Sequence, residues 1–131
     1  MYVLDTNTLI YFFRGQGKVA KQLLATAPSE VAIPGIVLYE LQVGILKSQS
    51  PTQRMEQLDQ MMDYVTVFPF GEAEAQVAAR VRVQLERRGT PIGPYDMLIA
   101  ATALRHDAVL VTHNIAEFSR IEDLRLEDWY G

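Results

Sequence analysis

Three acidic residues set in apolar surroundings carry the chemistry this chain could do: Asp5 in YVLDTNTLI, Glu40 in IVLYELQVG and Asp96 in TPIGPYDMLIAATAL. They are far apart along the chain but can meet at one edge of a parallel sheet. Clustered carboxylates repel one another and lose hydration on burial, which costs stability unless a cation lies between them. A divalent metal is the simplest such cation, so the three segments point to a metal-dependent enzyme rather than a binding module. Composition narrows the choice of ion. With no cysteine and only two histidines, His106 and His113, disulfides, zinc thiolates and cysteine nucleophiles are excluded, and imidazoles are too few for a histidine-built zinc site. Carboxylates and hydroxyls remain, and these hard oxygen donors suit Mg2+ or Mn2+.

Positioning such acids takes a folded core, and 131 residues with 49% hydrophobic and 21% charged content describe one ordinary globular domain over residues 1–131. The N-terminus reaches Asp5 before an apolar stretch could develop, so no signal peptide is read there. The longest nearly apolar run, Met97 to Leu104, is too short to cross a bilayer. A cytoplasmic protein with no membrane association is expected. A net charge of −4 argues against a protein that coats nucleic acid through its overall field, while leaving room for a nuclease whose positive charge is local or supplied by a metal.

The elements alternate. Tyr2-Val3-Leu4 reads as a buried strand ending at Asp5, with Thr6 as the cap of a helix over 7–13. A second helix is predicted over Lys18 to Ala25 and a strand at Val31-Ala32-Ile33, stopped by Pro34. The helix over about Val37 to Lys47 carries Glu40. Met55, Leu58, Met61 and Met62 lie at helical spacing within Thr52 to Tyr64, which points to packing. Val65 to Phe68 is a third strand. Glu72 to Arg88 is an amphipathic helix with Val77, Val81 and Leu85 on one stripe, closed by Gly89. Pro94 suits the first position of a helix over Tyr95 to His106 that is apolar almost all round and therefore buried. Val109-Leu110-Val111 is a fourth strand, 114–118 a short helical turn, and Leu124-Arg125-Leu126 an edge strand.

Short apolar strands alternating with helices predict a parallel sheet covered on both faces. Such sheets place their sites beyond the carboxyl ends of the strands. Asp5 ends the first strand, and Thr112, His113 and Asn114 follow the fourth. Asp96 falls in the first turn of the buried helix, where the positive end of the helix dipole favours a carboxylate. Each residue also has a plainer reading. Asp5 suits a helix cap, Glu40 a solvated helix position, Asp96 a dipole partner and Glu117 an exposed loop acid. His106 and His113 suit surface positions, and Arg80, Arg82, Arg87 and Arg88 the solvated side of the long helix.

The segments VLDTNTLI, IVLYELQVG, GTPIGPYDMLIAATAL and VLVTHNIAEFSRIEDLRLEDW, in this order and spacing, resemble the PIN-domain ribonucleases, and more narrowly the VapC toxins of bacterial type II toxin–antitoxin pairs. The resemblance runs from the first strand to the last few residues. It implies a three-layer α/β/α sandwich with a central, mainly parallel sheet, and an acidic cluster that binds Mg2+ or Mn2+ and hydrolyses single-stranded or looped RNA. Asp5 and Asp96 match the metal aspartates and Glu40 the helix glutamate. Thr6 and Thr112 match the hydroxyls that support the carboxylates, and Asn7 the asparagine that braces the first loop. Where many relatives carry a fourth acid, this chain has the neutral Asn114. Glu117 matches a second acidic position and completes the cluster if its turn faces inward.

None of the residues matched to the family's site is a histidine or lysine that could act as a general base, so a metal-activated water is the expected nucleophile. Hydrolysis would then leave a 5′-phosphate and a 3′-hydroxyl. The resemblance further implies tRNA or another structured RNA as substrate, a VapB-type antitoxin as partner and a toxin homodimer, with translation as the process inhibited. Ile10 to Phe13 and Ile36 to Tyr39 carry more apolar surface than one helix face needs, which fits burial by a partner chain. Arg14, Lys18 and Lys21, at roughly helical spacing, and the Arg80 to Arg88 group could guide an RNA backbone. Two other readings stay open. One is a haloacid-dehalogenase-like phosphatase with Asp5 as nucleophile, echoed by Asp5-Thr6-Asn7. The other is an inactive RNA- or protein-binding PIN module, favoured by Asn114.

Overall fold

The computed structural model describes all residues, Met1 to Gly131. Strands β1 (Tyr2–Leu4), β2 (Val31–Pro34), β3 (Thr66–Phe68), β4 (Val109–Val111) and β5 (Leu126–Glu127) form one sheet in the order β3-β2-β1-β4-β5. Every pairing is parallel. The helices α1 (Thr6–Arg14), α2 (Val19–Leu24), α3 (Gly35–Leu46), α4 (Pro51–Met62), α5 (Glu72–Arg87), α6 (Pro94–Arg105) and α7 (Ile115–Phe118) flank it. This is the three-layer α/β/α architecture expected. Strand order reverses at β1, which has β2 on one side and β4 on the other. The crevice at such a reversal is where open parallel sheets hold their ligands.

Burial follows the pattern of the strands. Val3, Leu4, Val31, Ala32, Ile33, Leu110 and Val111 are fully buried, as a sheet covered on both faces requires. Helix α6 packs closely because small residues, Ala100, Ala101 and Ala103, lie on its inner sides next to Ile99. Thr102 is buried too, and its hydroxyl donates back to the Leu98 carbonyl at 2.9 Å, which removes the cost of hiding it. Leu58 is the buried member of the Met55–Met62 stripe.

Several boundaries differ from those predicted, each for a local reason. Thr6 is not the cap of α1. Asp5 is, with extended backbone and its carboxylate accepting the Thr8 N–H. Helix α3 starts at Gly35, directly after β2, with Pro34 itself in its cap position. The edge strand is shifted to Leu126–Glu127, where Leu110 and Val111 find their partners. Arg14, Lys18 and Lys21 do not share one helical face: Gly15 and Gly17, with φ of 65° and 63°, turn the chain between α1 and α2. That turn is held by the C-terminal tail, because the Lys18 N–H donates to the Tyr130 carbonyl at 2.8 Å. A side chain at Gly17 would collide with Tyr130. The exposed arginines of α5 are partly spent on surface ion pairs, Arg82 with Glu86 and Arg88 with Glu122.

Candidate active site

The parallel register places Asp5 and Thr112 side by side. Leu4 pairs with Val111, and the Asp5 N–H donates to the Val111 carbonyl at 3.2 Å. Asp5 is buried. As the cap of α1 it accepts the Thr8 N–H at 2.9 Å, which satisfies one orphan donor of that helix and aims the carboxylate along its N-terminus. Thr8, which sequence reasoning missed, is buried and also ties α1 to β4, its hydroxyl lying 3.2 Å from the Val111 carbonyl. Burial pushes the Asp5 carboxyl up, partly offset by the hydroxyls of Thr112 and Thr8 and the Thr8 N–H, with the negative charge of Asp128 adding to the rise.

Glu40 comes from α3. The first turn of α1 presents Thr6, whose hydroxyl donates to Glu40 Oε1 at 2.7 Å. Thr6 therefore supports a carboxylate, as the resemblance implied, but that of Glu40. Asp96 sits in the first turn of α6, half-buried. Its carboxyl is raised to about 6, first by burial and then by the negative charges of Glu117, Asp5 and Glu40. Asp96 thus feels the negative charge of Asp5 at the cap of α1, Glu40 of α3 and Glu117 of α7.

Glu117 joins because α7 faces inward. Its carboxylate accepts the Gly93 N–H at 3.2 Å and a hydrogen bond from the Asn114 side-chain amide. Asn114, in turn, has its N–H on the Thr112 hydroxyl at 3.0 Å. The neutral residue at this position thus holds an acid instead of supplying one. Asn7 does not brace the first loop: it is exposed in the first turn of α1 and its side chain makes no hydrogen bond.

A second group beside the acids was not legible in the sequence. His113 does not stand alone at the surface. Its Nδ1 lies 2.9 Å from Asp128, its ring stacks on Tyr130 at 4.3 Å, and Tyr11 meets both rings edge-on. Burial pushes Asp128 up, but the bonds from His113 and the Tyr130 N–H outweigh it and hold the carboxyl below its usual range. These contacts join the C-terminal tail to the end of β4, a pairing no local pattern announces. His106 is likewise partnered, stacked on Phe68 at 3.8 Å with Glu74 3.6 Å away.

The donor set fits a hard divalent cation. No group of three or more Asp, Glu, His or Cys side chains forms a cage that could hold an ion by protein ligands alone. Mg2+ does not require one, since it keeps several waters and binds through one or two carboxylates together with substrate phosphate. The upward push that its neighbours exert on Asp96 is the mark of uncompensated negative charge that such an ion would neutralise. On the Glu40 side, a cleft of about 330 Å³ is lined by Ile10, Phe13, Glu40 and Gly44 together with Arg14 and Arg54.

A parallel sheet with a crevice of carboxylates at its switch point, Asp5 after β1, Glu40 on α3, Asp96 opening α6 and Glu117 on α7, defines the class of PIN-type folds. The PIN domain family matches residues 2–124. The tRNA(fMet)-specific endonuclease VapC of Salmonella typhimurium is 34% identical over 128 residues, 98% of this chain and 97% of the relative. Ribonuclease VapC2 of Rickettsia felis is 35% identical over 137 residues, covering 98% of each. The crystal structure of VapBC2 from Rickettsia felis, bound to a DNA fragment from their promoter, contains a chain that superposes with a TM-score of 0.90 at 36% identity, with 98% of both chains covered. The chain belongs to the PIN-domain family and, within it, to the VapC ribonucleases. That membership overturns the phosphatase reading of Asp5-Thr6-Asn7. No helix is long and apolar enough to cross a membrane.

Proposed function

We propose that this protein is a metal-dependent endoribonuclease toxin that hydrolyses a phosphodiester in a structured RNA loop and thereby inhibits translation. The observation that carries this is one acidic cluster: Asp5 caps the helix whose Thr6 hydroxyl holds Glu40 at 2.7 Å, and Glu117 accepts the N–H of Gly93, which lies against the Asp96 carboxyl. Asp5 and Asp96 would hold Mg2+, with Mn2+ able to substitute. When bound, the ion supplies charge neutralisation for the phosphate and acidifies water. The remaining work falls to the chain. Glu40, fixed by the Thr6 hydroxyl, orients the attacking water. Glu117, held by Asn114 and the Gly93 N–H, closes the far side of the acidic centre. Thr112 and Thr8 oppose the rise that burial imposes on the Asp5 carboxyl, and the Thr8 N–H aims it. Arg14 and Arg54 offer unpaired cations to the phosphates on the Glu40 side. Attack by water leaves a 5′-phosphate and a 3′-hydroxyl.

The Salmonella relative is named for tRNA(fMet), and an initiator tRNA, cut in its anticodon loop, is the substrate we assign here. A VapB-type antitoxin is the partner, in keeping with the VapBC complexes among the structural neighbours. The apolar groove lined by Phe12, Phe13, Leu23, Leu24, Met61 and Tyr64 is its seat. Leu24 and Tyr64 are 80% and 73% exposed there, more apolar surface than a lone chain leaves uncovered. A homodimer completes the assembly.

The test is cleavage of total RNA and of initiator tRNA by antitoxin-free protein with Mg2+ or Mn2+, against EDTA, with the cut ends mapped. Discrete metal-dependent fragments bearing 5′-phosphates are expected. Fragments ending in cyclic phosphate would remove the hydrolytic mechanism, and cuts mapped elsewhere would remove the anticodon loop. Thr6→Val tests the role of Glu40. It keeps the helix and deletes only the hydroxyl, so cleavage should fall by about 10- to 100-fold, the scale for losing a supporting bond around a metal site, at unchanged melting temperature. Undiminished cleavage would show that Glu40 does not need this bond.

A further inference from the structure

We propose that Tyr39 and Tyr95 form a stacking platform that holds an unpaired base of the RNA beside the scissile phosphate. The proposal rests on the ribonuclease reading above and adds a determinant of which RNA is cut. Tyr39 precedes Glu40 on α3 and Tyr95 precedes Asp96 on α6. The two rings therefore stand on the same two helices as two of the acids, one residue away. Their centroids are 5.7 Å apart at an interplanar angle of 64°. In an edge-to-face pair only one face of one ring is covered, and Tyr39 and Tyr95 remain 50% and 44% exposed.

Exposed aromatic rings on a small protein call for an occupant. The surroundings decide between a nucleic-acid base and another protein. A protein partner needs continuous apolar area, and this chain offers that elsewhere, in the groove around Leu24 and Tyr64. The Tyr39–Tyr95 pair instead lies near the acids: each ring is one residue from a carboxylate, and Tyr95 feels the negative charge of Glu40. A flat, polar-edged base next to a phosphate held at the acids suits that position. Base–aromatic stacking tolerates any of the four bases but requires the base to be splayed out of a helix. A duplex cannot satisfy the pair, whereas a loop nucleotide can. Cleavage would thereby be confined to phosphates with an unpaired neighbour.

The test uses the whole protein and a synthetic anticodon stem–loop of the initiator tRNA, intact or with an abasic nucleotide on either side of the mapped cut. On the intact loop, Tyr39→Ala and Tyr95→Ala should each lower kcat/KM by about tenfold, with Tyr39→Phe and Tyr95→Phe close to wild type. With the abasic nucleotide at the stacked position, wild type should fall to the level of the alanine variants, which lose nothing further. The proposal is overturned if the alanine variants cleave the intact loop as wild type does, or if their deficit persists undiminished on the abasic RNA. A change in molecular mass by light scattering would overturn it too, by making the pair an interface between copies. A wild type that cuts no RNA under any metal condition would instead remove the ribonuclease reading on which this rests.

Discussion

Asp5→Asn is expected to abolish RNA cleavage, by about 10³-fold or more, while leaving the protein folded. The substitution separates the two tasks of this side chain. Asparagine still offers an oxygen to the Thr8 N–H, and Asn and Asp cap helices about equally well, so α1 keeps its start. What is lost is the charge, and with it a ligand whose contribution to transition-state neutralisation is of the order of several kcal/mol. Asp5→Ala removes both and should in addition cost about 1 kcal/mol of stability. Mn2+ binding followed by calorimetry should weaken in both variants. Full cleavage by folded Asp5→Asn would show that Asp5 is only a cap, which is the plainer reading its position allows.

Asp96→Asn should make the metal-free protein more stable at pH 8 and equally inactive. Its carboxyl is raised from 3.8 to about 6, so the folded state holds the proton more tightly than the unfolded chain does. Protonation therefore favours the fold fully below pH 3.8, and that contribution is lost as pH rises through about 6. A rise of this size would be worth about 3 kcal/mol in a dry site. Water at this half-exposed group screens it to about 1 kcal/mol. Asp5, also raised, acts in the same direction. Urea melts of wild type without metal should thus weaken from pH 4 to pH 7, and Asp96→Asn should flatten that slope. Mg2+ competes with the same proton and, when bound, would hold the carboxyl lower, so both its stabilising effect and cleavage should decline toward acid pH, with a midpoint that moves down as Mg2+ is raised. A metal-free stability that rises between pH 4 and 7, or a variant less stable than wild type at pH 8, would show that the acids are not mutually repelled.

Much of this was legible because the code was local. Apolar triplets ending at Asp5 and before Thr112 marked two strand ends. Pro94 and the apolar run behind it marked a buried helix with Asp96 in its first turn. A parallel α/β/α fold then places those ends together without further information. Glu117 was visible as an acid, but its inward aim depends on Asn114 donating to it and on the Gly93 N–H, contacts set by tertiary packing. The Thr6–Glu40 bond spans two helices with no periodic relation, and the same holds for the Tyr39–Tyr95 pair. Asn7 shows the opposite error, a residue whose type matched a role that its exposed position does not perform. The tail contacts of Asp128 and Tyr130 were out of reach, because residues after the last strand carry no pattern that says where they return.

The strand order has a consequence for how this protein is made. β1 precedes the other four strands in sequence, yet it lies in the middle of the sheet, and one of its two neighbours is β4. Until Val109–Val111 has been synthesised, Asp5 lacks the carbonyl that fixes its backbone and the hydroxyl of Thr112. Without Glu117 the acidic centre is missing a wall, and the turn between α1 and α2 is held by Tyr130, beyond the last strand. The acidic site forms only once β1 has paired with β4, a partner distant in sequence. Loop-closure entropy must be met before the site exists, so a partly folded chain that lacks this pairing carries no assembled site.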